Sequence, residues 1–171
     1  MKKLITSGFA IMSLMAVTLT ACGDDDAQNN NNTLPDGTFI QGKVDGTGFS
    51  SMVMGHSTAT ATRQGTGDAT FISVQGSTME ANTMVIVMHG ITATGTYTID
   101  AEDESVLAYF NAANSISYDT SNCSGATGTL NITHLDNTKV EGTFNFVGKD
   151  DDNCSQSKTI TEGSFRGIFA N

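Results

Sequence analysis

The chain of 171 residues has no tryptophan, only 3 cysteines, and only 8 lysines and arginines against 18 aspartates and glutamates. Each shortage closes something off. Without tryptophan, and with Tyr97, Tyr109 and Tyr118 as the only tyrosines, an aromatic binding platform is thin. So few cations leave phosphates and anionic lipid surfaces repelled, and no nucleic-acid partner is expected. The longest apolar stretch, Leu4 to Val17, is interrupted by Thr6, Ser7, Gly8 and Ser13 and makes a poor membrane span. His56, His89 and His134 stand apart, with no His-x-His or His-Glu-x-x-His spacing to suggest zinc. No metal and no cofactor are assigned.

What is present begins with an address. Lys2 and Lys3 precede the apolar run, and small residues lead to a cysteine, as in a secretory signal. Leu19-Thr20-Ala21-Cys22 resembles the bacterial lipobox, where cleavage precedes a cysteine that carries lipid. Residues 1–21 are therefore expected to be a lipoprotein signal peptide and Cys22 the lipidation site. A single acyl chain anchors weakly, each buried methylene contributing about 0.8 kcal/mol, so a triacylated cysteine should hold its membrane. The membrane partner is reached through that lipid.

Residues 22–36 hold the lipidated cysteine and an acidic, asparagine-rich tether, Asp24 to Asp26 followed by Asn29 to Asn32, with nothing to bury. Asp24, Asp25 and Asp26 resemble the export signal of surface-exposed lipoproteins in Bacteroidota-type bacteria. An outer-membrane, cell-surface location is expected, with the periplasmic face as the alternative. Cleavage before Cys22 removes two lysines, leaving 6 basic against 18 acidic residues in 150, one domain's worth. Lipid on Cys22 leaves Cys123 and Cys154, which in an oxidising compartment form one disulfide.

Residues 37–171 read as all-β: a single antiparallel β-sandwich or flattened barrel of about 8–10 strands. Frequent threonine and glycine suit short strands and turns. Strands are expected at 38–44, 49–54, 58–63, 69–74, 84–88, 96–99, 129–133, 138–147 and 159–169. Met84-Val85-Ile86-Val87-Met88, apolar on both faces, is the central candidate. Asp103 to Asn114 admits a helix or an edge strand; the strand is preferred. Around the Asp136-Asn137 turn, Leu130 and Ile132 must face the same way as Val140, Phe144 and Phe146. Paired positions should then sum to an even number, 272 or 274, because a one-residue slip would expose both phenylalanines. That register extends the Cys123 strand to a place opposite Lys149 or Asp151, close to Cys154. Phe165 and Phe169 should line the inner face of the final strand.

Val44-Asp45-Gly46-Thr47-Gly48-Phe49 resembles the Val-Asp-Gly-x-x-Phe opening of an uncharacterised β-rich lipoprotein family of Bacteroidota. Gly128-Thr129-Leu130-Asn131-Ile132, Glu141-Gly142-Thr143-Phe144-Asn145-Phe146 and Ile160-Thr161-Glu162-Gly163-Ser164-Phe165 are similar to its close. The resemblance implies a β fold and supplies no catalytic residues.

Chemistry is sparse. Gly55-His56-Ser57-Thr58-Ala59 has the outline of a nucleophile elbow, but Ala59 replaces the last glycine and no helix pattern follows. Two acidic clusters, Asp100-Glu102-Asp103-Glu104 and Asp150-Asp151-Asp152-Asn153, lack EF-hand spacing and read as solvated loops. With no catalytic constellation, the leading expectation is a non-enzymatic envelope module that binds a glycan or protein partner. A small carboxylate-dependent hydrolase and a barrel carrying a small apolar ligand are the alternatives.

Overall fold

A computed structural model describes residues 36–150 and 152–170. The signal segment, Cys22, Asp24 to Asp26, the rest of the tether and Asp151 lie outside the described residues. The strands run β1 (Phe39–Val44), β2 (Thr47–Ser50), β3 (Met52–Val53), β4 (His56–Ser57), β5 (Thr60–Gln64), β6 (Phe71–Ser77) and β7 (Thr83–His89). They continue with β8 (Gly95–Asp100), β9 (Val106–Asn111), β10 (Ile116–Asp119), β11 (Thr127–Leu135), β12 (Lys139–Asp150) and β13 (Ser157–Ile168). Among the described residues there is no α-helix, and every strand pairing is antiparallel. Eleven strands form one curled sheet, a half-barrel, and β3 pairs with β4 alone.

β12 is where the sheet divides. One edge pairs with β13; the other pairs with β11 along Val140–Val147 and with β10 at Lys149 and Asp150. From this fork one layer runs β8-β11-β12-β13-β1-β2 and the other β10-β9-β7-β6-β5. The alternation in β12 makes it suitable: Val140, Gly142, Phe144, Phe146, Gly148 and Asp150 are all buried, while the positions between them are not. The opposite layer supplies Ile72, Val74, Met84, Ile86, Met88 and Leu107 to the same core. Each such aliphatic or aromatic side chain contributes about 1.5–3 kcal/mol when fully buried. The layers meet closely where glycine omits a side chain. A Cβ on Gly128 would stand 2.6 Å from Leu107 Cδ1, and one on Gly167 would stand 2.8 Å from Val74 Cγ2.

The last hairpin has the expected register. Leu130 pairs with Phe144 and Ile132 with Gly142, positions summing to 274. A bulge at Thr133 then shifts the ladder, so Leu135 meets Val140. Asp136 sets the turn, accepting from the backbone N–H of Thr138 at 2.7 Å and of Lys139 at 2.9 Å. A second bulge at Glu162, φ 53°, flips the parity of β13, so that Ile160 and Phe165 both face inward. Phe169 is buried just beyond the strand.

Several boundaries differ from the sequence expectation. The stretch 49–54 breaks at Ser51, which is buried and substitutes its hydroxyl for a ladder partner, accepting from Ile40 N–H at 2.9 Å. Ala69 belongs to a 3₁₀ turn, Gly67–Ala69, and the strand starts at Phe71. Residues 106–111 form a strand, but one inside the sheet between β7 and β10 rather than at its edge, and β4 and β10 are two short strands that residue patterning did not mark. Tyr118 pairs with Asp150 and Asp119 with Lys149, so β10 occupies the place assigned to an extension through Cys123. Cys123 instead lies buried in the loop from 120 to 126, because β11 begins only at Thr127. Cys123 and Cys154 are joined in a disulfide with Cα atoms 5.6 Å apart.

A candidate binding cleft at the sheet rim

Asp45-Gly46 forms the tight turn between β1 and β2, with φ of 48° and 82°. The Asp45 carboxylate does more than turn the chain. It accepts from Thr159 N–H at 2.9 Å and from Lys158 Nζ at 2.8 Å, while Asp45 N–H donates to the Thr159 carbonyl at 2.8 Å. The turn is thereby tied to the start of β13. Lys158 and then Thr159 hold the Asp45 carboxyl below its ordinary range, and the Asp45 bond in turn raises Lys158. The ammonium also lies 5.9 Å from the Tyr118 ring centre.

Beside this pair opens a cleft of about 500 Å³. Phe49 and Tyr109, nearly perpendicular with centres 6.3 Å apart, form its apolar side, and Tyr109 stacks on Tyr118 at 6.4 Å. Burial raises the Tyr109 phenol above its ordinary value. The β6–β7 turn contributes Thr78, Glu80 and Asn82, and the end of β9 contributes Asn111. Asn82 Oδ1 accepts from Ala112 N–H at 3.0 Å, and Asn111 Oδ1 accepts from Ala113 N–H at 3.0 Å. The Asn82 amide nitrogen is thus an end able to donate, while the Asn111 amide also bonds the Tyr109 hydroxyl. Its own backbone N–H chiefly holds the Glu80 carboxyl below its ordinary range. The cleft therefore offers the Asn82 amide, one neutralised ion pair and one further carboxylate.

The residues singled out by sequence are otherwise dispersed. Ser57, in the elbow-like stretch, donates to the Thr38 carbonyl and accepts from Ala59 N–H at 3.0 Å, which makes it a loop tie. His89 pairs with Glu104 and His134 with Asp136, while His56 lies exposed on β4. Asp103 accepts from Asp100 N–H at 2.8 Å and Asp100 from Glu102 N–H at 2.9 Å, so that acidic cluster caps its own turn. Asp150 accepts from Asp152 N–H at 3.0 Å but is buried at the fork, not solvated as its run of aspartates suggested. Among the described residues no three His, Cys, Asp or Glu side chains assemble as a metal site. Of the three tyrosines, Tyr109 and Tyr118 are core residues, and Tyr97 donates to the Ala93 carbonyl at 2.9 Å. The cleft joins turns far apart in sequence. Only Asp45 and Phe49 carried a prior signal, through the Val-Asp-Gly-x-x-Phe stretch.

Fold and site together define an all-β module with a polar cleft at one rim of its sheet. The chain belongs to the family described as Domain of unknown function (DUF6252), which matches residues 36–168. No curated protein and no solved structure matches the chain.

Proposed function

We propose that this protein is a lipid-anchored envelope module that binds a neutral, hydroxyl-bearing ligand, such as the end of a glycan, without chemically changing it. The reading of location rests on Leu19-Thr20-Ala21-Cys22, on the acidic run Asp24 to Asp26, and on the motif resemblance to Bacteroidota lipoproteins. The observation that carries the binding role is the rim cleft. Its volume suits one or two sugar-sized groups, and its ion pair is internally neutralised. The Asn82 amide can donate where a ligand hydroxyl oxygen accepts.

The carboxylates favour binding over hydrolysis. A glycosidase acid must be held protonated near neutral pH, whereas both Asp45 and Glu80 are shifted downward. The interior is filled by side chains of both layers, which disfavours a carrier of apolar ligands.

The test is calorimetric titration of the full chain with a panel of neutral linear oligosaccharides. Binding that Asn82→Ala and Lys158→Met each weaken, with no release of reducing ends, supports the reading. Absence of binding across the panel, or binding indifferent to both variants, overturns it. For the anchor, Cys22→Ala should move the protein from the membrane to the soluble fraction. Retention on the membrane defeats that part.

A further inference from the structure

Five methionines lie among the described residues, and they fall into two sets. Met84 and Met88 are completely buried in β7. Met52 and Met54, from the β3–β4 hairpin, and Met79, from the β6–β7 turn, instead line a single open pocket of about 350 Å³. Met54 is 86% exposed and Met79 66% exposed. Met52 is half-buried. Methionine is among the residue types most often buried, so hydrophobic burial does not account for gathering three thioethers, two of them exposed, around one open pocket.

The hairpin is built against local preference as well. Val53 pairs with His56, leaving Met54-Gly55 as a two-residue turn with φ of 51° and 80°. Such turns favour asparagine, aspartate or glycine first, because positive φ crowds a larger side chain. Methionine there carries its thioether outward at a conformational cost.

The chemistry of that donor set is selective. Thioether sulfur is soft and polarizable, and soft sulfur donors select Cu(I) over hard divalent ions. The thiols of Cys123 and Cys154 are spent in the disulfide, so thioethers are the soft donors at hand among the described residues. We propose that Met52, Met54 and Met79 form a trithioether site for Cu(I). Three rotatable bonds let each side chain adjust to one ion. Glu80, on the pocket's edge, adds a negative charge beside the cation. A thioether has no proton to lose, so affinity should not follow pH as it does at thiolate or imidazole sites. The site adjoins the proposed glycan cleft and shares Gly48, Thr78 and Glu80 with it, but its three sulfur donors lie outside that cleft and do not depend on glycan binding.

The experiment uses the full chain in detergent with 13C-methyl methionine, titrated with Ag(I) as a redox-inert probe. Cu(I) affinity is then measured anaerobically in competition with bicinchoninate. The methyl signals of Met52, Met54 and Met79 should shift while those of Met84 and Met88 stay. The combined Met52→Leu, Met54→Leu and Met79→Leu variant should keep its fold and lose more than ~100-fold in Cu(I) affinity. Affinity should stay level from about pH 6 to 8, a window across which the affinity of an imidazole site would change. Leucine preserves the apolar surface, so a patch that only docks proteins would be untouched by the change. Unchanged Cu(I) affinity in the leucine variant, no methyl shifts, or an affinity that falls with acid as an imidazole site's does would each overturn the assignment.

Discussion

Strand β7 and the β3–β4 hairpin contain nearly the same words: Met84-Val85-Ile86-Val87-Met88 in one, Met52-Val53-Met54 in the other. In β7 the alternate residues Met84, Ile86 and Met88 are entirely buried, because β6 and β9 flank the strand and the β12–β13 layer covers one face. Val85 and Val87 on the other face are only half-buried, so the strand is central without being enclosed on both sides. In the hairpin the residues pair only with each other, beyond the point where Ser51 ends the ladder. There Met52 and Val53 are half-buried and Met54 faces water. Local pattern sets which residues share a face; neighbours set whether that face is covered.

This contrast can be tested by graded perturbation. Met84→Ala should cost about 3–4 kcal/mol in urea unfolding, the loss of a fully buried side chain plus its cavity. A cost below about 1 kcal/mol would mean that β7 is not held between covered layers. Replacing both Cys123 and Cys154 with Ala should cost about 3.5 kcal/mol in the chain-entropy account, since the closed loop spans 31 positions. Mass spectrometry of unreduced protein provides the prior check that the bond is present.

Gly128→Ala should cost about 1–3 kcal/mol by overpacking, as the new Cβ meets Leu107 and Phe146. Unchanged stability would show that the layers are less closely apposed than described. Asp45→Asn should cost at most about 1 kcal/mol, because the pair with Lys158 is partly exposed. The Asp45 carboxyl is depressed on folding, so its contribution is complete above its unfolded value and disappears as pH falls through the lower folded value. The difference between wild type and Asp45→Asn should therefore be constant from about pH 5 to 7 and shrink below about pH 4. A difference that grew with acid would contradict the pairing. Smallest of all, Met54→Ala should change stability by less than about 0.5 kcal/mol, against several for Met84→Ala.

Residue order alone determined the all-β class, most strand positions and the register of the last hairpin. The physical reason is that alternation has a period of two, and Phe144 and Phe146 permit only registers that keep them inside. It also marked Asp45 and Phe49, through the Val-Asp-Gly-x-x-Phe stretch, and favoured a strand over a helix for residues 106–111. It could not place Cys123, because β10 is a four-residue strand whose pairing with Lys149 and Asp150 depends on where β12 ends. Tertiary structure decided the fork at β12, since whether a strand's free edge takes one neighbour or two depends on strands distant in sequence. It also brought Asp45, Asn82, Asn111 and Lys158 around one cleft, and three methionines around another. Side chains separated by dozens of residues meet only when the turns carrying them are packed at the same rim, and no local spacing records that meeting.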